Sequence, residues 1–186
     1  MTAAIDDLQR VCVKIYAPDP GVDDQVFVPI FHEWIRDGAF DDLVLFDVAD
    51  YAHVPESPGV VLVTHDAHFA LDRSDGRFGL LVQRRVPGDG DAVATLALTI
   101  RQGLEVAERL AGDARLEGQL EFDPSALRVE ANDRLRAPNT DAGYRAFEPV
   151  VRAAAAQALG AAQPEVSRVR NDPRDRLTAD VKVAGI

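Results

Sequence analysis

The residue types best suited to chemistry lie together in Asp47-Val48-Ala49-Asp50-Tyr51-Ala52-His53-Val54-Pro55-Glu56-Ser57-Pro58-Gly59. Imidazole titrates near neutral pH, so His53 is a candidate general base. Tyr51 and Asp50 are its candidate assistants, with Asp47 and Glu56 as further carboxylates. This trio would serve a small-molecule enzyme. The same residues also make a plain surface connection: two prolines and a glycine build a loop, and Tyr51 and His53 pack back on a sheet edge. The plainer reading is preferred.

A second cluster runs Asn132-Asp133-Arg134-Leu135-Arg136-Ala137-Pro138-Asn139-Thr140-Asp141. It joins a strand end to a helix start, where free amides and the positive end of the helix dipole attract anions. Arg134 and Arg136 could clamp such an anion, with Asn139 and Thr140 beside it, which makes an anion or nucleotide site. The alternative is an Asx turn at Asn132 and Asp133, a Thr140 cap, and arginines paired with the surplus of aspartates. A second arginine-rich turn, Arg168 to Arg176, lies near the first if the second half of the chain is a duplication.

No metal is expected. The histidines are His32, His53, His65 and His68. With Gly59 to Thr64 extended, His53 lies at one end of a strand and His65 and His68 at a turn at the other, ~20 Å away at ~3.3 Å per residue. His32 sits on a helix beside its apolar stripe and reads as a partly buried, hydrogen-bonded residue. The single cysteine, Cys12, lies in Val11-Cys12-Val13-Lys14-Ile15-Tyr16 and reads as a buried small hydrophobe. One cysteine excludes a disulfide framework and a cysteine-based metal cluster. No nucleophile elbow, zinc-protease motif, phosphate-binding glycine loop or calcium loop occurs, and no cofactor is implied.

The elements that must hold these residues follow from periodicity. Val11 to Tyr16 reads as a strand. Asp23-Asp24 opens a helix with Phe27, Ile30, Phe31, Trp34 and Ile35 on one face and Gly38 as its stop. Pro29 fits near the start of that helix, after a looser turn. Leu43 to Phe46 reads as a strand, and Val60 to Val63, apolar on both faces, as a central one. His65 to His68 reads as a turn, Phe69 to Leu71 and Phe78 to Val82 as strands, and Ser74-Asp75-Gly76-Arg77 as the hairpin turn between them.

Asp91 caps a helix to Ala111, with Val93, Leu96, Ala97, Ile100, Leu104, Ala107 and Ala111 inward. Strands are expected at 119–122 and 127–131, a helix from Thr140 to Leu159, and strands at 165–170 and 177–183. Two helix-strand-strand units emerge. Their helix starts and their Asp-Pro turns (Asp123-Pro124, Asp172-Pro173) are each 49 residues apart, consistent with duplication. Hairpins outnumber helical crossovers, so the fold class is α+β: a mainly antiparallel sheet with about three helices, in one domain over 1–186 with a possible internal boundary at 87–90.

Composition bounds the rest. The chain has 186 residues, 47% hydrophobic, enough for a substantial core. Its net charge of −11 argues against a broad nucleic-acid surface. The acidic, lysine-poor composition fits GC-rich coding or adaptation to salt. No apolar run is long enough to span a membrane, and the start of the sequence lacks a secretory pattern, so the cytoplasm is the expected location. The leading functional expectation is a non-catalytic binding or assembly module that acts through protein contacts and self-associates. The expected contacts are the alanine-rich face of the 140–159 helix and an edge of the Phe69–Val82 meander.

Overall fold

A computed structural model describes residues 5–51, 53–54, 57–160 and 163–184. Along the chain lie β1 (Val11–Tyr16), α1 (Phe27–Asp37), β2 (Leu45–Asp50), β3 (Val60–Thr64), β4 (Ala67–Asp72), β5 (Gly79–Arg84), α2 (Ala92–Ala111), β6 (Ala126–Ala131), α3 (Asp141–Leu159), β7 (Glu165–Arg168) and β8 (Thr178–Lys182). The strands form one eight-stranded sheet in the order β2-β3-β4-β5-β1-β6-β8-β7. Every pairing is antiparallel. The protein is α+β, as the hairpin-rich pattern predicts. Strands from both sides of 87–90 enter the same sheet. Among the described residues no helix is long and apolar enough to cross a membrane.

The helices cover one face of the sheet. Alternation sends Val11, Val13 and Ile15 of β1 toward them, with Leu80 and Val82 of β5 and Leu127 and Val129 of β6 in the neighbouring rows. α2 lies directly on β1 and β5 because Gly103 faces them: a Cβ there would stand 2.8 Å from a Val82 methyl. Of the predicted stripe Leu96, Ala97, Ile100 and Ala107 are buried, while Val93, Leu104 and Ala111 are half-buried; Thr95, Thr99, Gln102, Val106 and Leu110 are buried instead, because α3 walls the other side of α2. At the mouth of that layer Arg84 is buried with neutral partners, Thr99 Oγ1 at 3.0 Å and Gln102 Oε1 at 2.6 Å.

Local chemistry sets the helix ends. Asp91 accepts from the Ala94 amide and Thr140 from the Gly143 amide, and Gly38 ends α1 in the left-handed region. A 3₁₀ turn, Asp24–Val26, precedes α1, so Pro29 falls in the first helical turn, where no amide is needed. Phe27, Ile30, Phe31 and Trp34 are buried, and the Trp34 ring lies 5.3 Å from both Phe31 and Phe40.

Several expectations need correction. Residues 119–122 are not a strand, so the first unit has one strand where the second has two, and the duplication fails. The reason is topological: β1 is already paired on both sides, and β6 lies between β1 and β8. Leu120 enters the core instead, and the Asp123 amide donates to the Tyr16 carbonyl. The strand expected at 43–46 runs from Leu45 to Asp50 and lies at the sheet edge, where polar Asp47 and Asp50 are tolerated. β3 is second from that edge, not central. His68 belongs to β4 rather than to a turn. The 69–82 meander lies inside the sheet and offers no edge, and Ala154 and Ala155 of α3 are buried within the chain, where α3 meets α2, β7 and β8, while Ala153 is exposed.

Candidate functional site

The proposed catalytic trio is not assembled. Asp50 pairs with Val60 and turns to the helix side, where Gln25 donates to it at 2.7 Å. Tyr51 lies on the open side, lining a small hollow of about 110 Å³ with Ala49, Val61, Val63, His68 and Ala70. One residue of alternation separates the two side chains to opposite faces. His53 is exposed and makes no hydrogen bond among the described residues. Its loop closes on itself: the Val54 amide and the Ser57 hydroxyl both donate to the Tyr51 carbonyl. Asp47 accepts from the Val48 amide at 2.8 Å. Glu56 lies outside the described residues.

The arginine cluster is half assembled. Arg134 does meet the second arginine-rich turn, donating to the Arg174 carbonyl at 2.6 Å, because β6 and β8 are neighbours. Asn132, Arg134, Arg174, Asp175 and Arg176 line a cleft of about 440 Å³. Arg174 is bound to Asp172 and Arg176 to Glu130, whereas Arg134 has no carboxylate partner among the described residues. The other candidates are used internally. Arg136 pairs with Asp7 and Asp133, Asn139 donates to Asn171 and the Asp172 carbonyl, and Thr140 caps α3. Arg168 occupies the start of α3 through Asp141 and Asn139.

Among the described residues no three His, Cys, Asp or Glu side chains converge as a metal site would require. His65 bonds Asp66 at the β3–β4 turn. His68 sits beside Arg85, and burial and that cation both lower its pKa. His32 is exposed rather than partly buried, since one helical step past Phe31 turns it away from the buried Phe27–Trp34 stripe. Cys12 is buried, and loss of solvation pushes its thiol up to about 12, so it is neutral at physiological pH.

The densest polar cluster was not anticipated. On the open face Lys14, only 3% exposed, donates to Asp72 at 2.6 Å, to Asp75 and to the Arg77 carbonyl at 2.7 Å. Tyr16 and Arg128 donate to the other Asp75 oxygen, and Arg128 continues to Asp180. All three ammonium protons are used, so the cluster is a lock between β1, β4 and the β4–β5 turn.

What stands out is the β2 edge. The exposed large hydrophobic residues are Val44 (61%), Phe46 (56%), Tyr51 (46%), Val54 (43%) and Leu135 (94%). All but Leu135 lie on β2 or its flanks. A register shift between Leu45 and Asp47 leaves Phe46 bulged outward. Among the described residues β2 pairs with β3 alone, and no strand lies on its other side. A sequence sign of this region exists: residues 37–72 contain eight carboxylates (Asp37, Asp41, Asp42, Asp47, Asp50, Glu56, Asp66, Asp72) and neither lysine nor arginine. Attention to histidines and arginines passes it by. No family model, curated protein or solved structure matches this chain.

Proposed function

We propose that the protein is a non-catalytic module that works through protein contacts, and that the β2 edge is the contact surface. The observation that carries this reading is the gathering of Val44, Phe46, Tyr51 and Val54 on and beside β2, whose outer side meets no other strand among the described residues. Exposed apolar side chains beside free backbone groups mark a place where another chain adds or packs. The separation of Asp50, Tyr51 and His53 supports the same choice over an enzyme. The test pairs sedimentation of the chain at micromolar concentration with affinity capture from source extract, using the wild type and a Val44→Ser/Phe46→Ser double variant. The expected result is self-association or a captured protein that the double variant loses while its thermal unfolding is unchanged. A monomer that captures nothing, or a complex indifferent to the double variant, overturns the proposal.

A second reading has one specific observation behind it: Arg134 has no carboxylate partner among the described residues and faces a cleft shared with Arg174 and Arg176. Such a fork binds oxyanions bidentately. Titration with inorganic phosphate, following the backbone amides of 132–136 and 174–176 by NMR, tests it. Saturable shifts abolished by Arg134→Ala support an anion site, and shifts that survive that change exclude it.

A further inference from the structure

Resting on the reading of β2 as the contact edge, we infer that its occupant is a basic, extended segment of another protein. The segment adds as a ninth strand and is selected by Asp47. Three observations point to this.

The first is charge. The acid-only stretch 37–72 supplies β2, β3 and β4. Asp72 is spent on Lys14 and Asp37 on Arg36, but Asp41, Asp42 and Asp47 are exposed and meet no cation among the described residues. A second copy pairing β2 with β2 would bring two such stretches together, at a cost in like-charge repulsion. Lysine or arginine side chains on a foreign strand relieve it.

The second is the direction of the backbone. The Tyr51 amide bonds to the Gly59 carbonyl across the β2–β3 pairing. Amides alternate sides along an antiparallel strand, so the Val48 amide points outward. In the free protein it is occupied by the Asp47 carboxylate at 2.8 Å. An incoming strand offers a carbonyl to the Val48 amide in place of that carboxylate. Asp47 is then released beside the new strand. If the strand carries a cationic side chain there, the carboxylate exchanges one partner for another. If the strand carries an apolar or acidic residue, the carboxylate is left without one. The latch therefore blunts the bare edge against indiscriminate pairing and discounts it for basic segments.

The third is the apolar surround. Val44, Phe46, Tyr51 and Val54 lie on or beside the strand and give alternate side chains of the segment something to pack on, so the fitting pattern is cationic and apolar by turns.

The experiment uses the full chain and three labelled eight-residue peptides with capped ends: alternating Lys and Val, alternating Glu and Val, and the Lys-Val peptide with alternate backbone amides N-methylated. Binding is read by fluorescence anisotropy at low and moderate salt. The Lys-Val peptide is expected to bind at least tenfold more tightly than the other two, and more weakly as salt rises. Asp47→Ala is expected to cut the Lys-Val over Glu-Val preference at least threefold. Val48→Pro removes the outward amide and abolishes strand addition. Its fold is checked by circular dichroism, and if it fails to fold the N-methyl comparison still decides.

Equal binding of the N-methylated peptide means charge attraction without strand addition and overturns the inference. So does an unchanged preference in Asp47→Ala, or no binding of the Lys-Val peptide at all. If sedimentation also shows a concentration-dependent dimer lost on Val44→Ser/Phe46→Ser, the contact edge stands and its occupant is a second copy. A monomer that binds no peptide and captures no protein removes both readings.

Discussion

The sheet ends in two edges that solve one physical problem differently. β7 at one end is four residues long and is tied down by α3: the Tyr144 hydroxyl reaches the Val166 carbonyl, Arg152 donates to the Pro164 carbonyl, and Arg168 pairs with Asp141 and Asn139. β2 at the other end is six residues long, bulged at Phe46 and flanked by exposed apolar side chains, with the Asp47 carboxylate over the outward Val48 amide. Both sit on one continuous core, so the contrast does not come from a weak scaffold. A fold that covers one edge with a helix has the means to cover the other. Leaving β2 bare is the feature that calls for a use.

The contrast can be broken from beneath. Trp34 holds α1 together under β2 and β3, so Trp34→Ala is expected to cost roughly 3–5 kcal/mol in denaturant unfolding. A loss under about 1 kcal/mol would mean that α1 does not support that edge.

The strands between the edges depend on the Lys14 cluster. Asp75→Asn weakens charged hydrogen bonds from Lys14, Tyr16 and Arg128 and should cost roughly 1.5–3 kcal/mol at neutral pH. Burial alone would raise the Asp75 pKa, but hydrogen bonds from Lys14 and Tyr16 outweigh it and hold the carboxyl below its ordinary 3.8. A depressed carboxylate stabilises the fold above its unfolded-state value and loses that contribution as pH falls through the folded-state value. The gap between wild type and Asp75→Asn should thus be constant above about pH 5 and close below about pH 4. A gap that widens in acid contradicts the assignment.

Untying the covered edge should be milder. Arg168→Ala removes hydrogen bonds to Asn139 and exposed Asp141, a loss of about 1 kcal/mol. It should speed amide exchange at 165–168 and leave 45–50 unchanged. The smallest effect is expected at the bare edge: Val44→Ser/Phe46→Ser should shift unfolding by less than about 0.5 kcal/mol, because those side chains already face water. A large loss there would show that they are part of the core.

How much of this was legible follows the range of the interactions. The helix ends were, because Asp91, Thr140 and Gly38 act within a turn of themselves. The hairpin at Ser74–Arg77 was also local. What local pattern cannot report is who pairs with whom. Residues 119–122 have a strand's alternation, yet every neighbouring edge was taken by strands elsewhere in the chain. Val60–Val63 looks central by composition, yet only one strand lies beyond it. The Lys14–Asp72 contact joins residues 58 apart, and neither signals the other. At the candidate site the individual residues of the 47–59 loop were noticed, but for the wrong property: their acid-base chemistry drew attention, while the unpaired backbone beneath them depends on strand order.

The central place of β1 has a consequence for how the chain reaches this structure. β1 is synthesised first among the strands, yet its neighbours are β5 and β6, with Cys12 opposite both Gln83 and Glu130. No short hairpin can nucleate it. Until residues 126–131 have left the ribosome, one side of this strand has nothing to pair with, whereas β3, β4 and β5 can zip together as a local meander. Folding should therefore proceed in two phases: a quick one that assembles the meander, and a slow one that closes the sheet through its middle when the earliest strand meets the late-arriving β6.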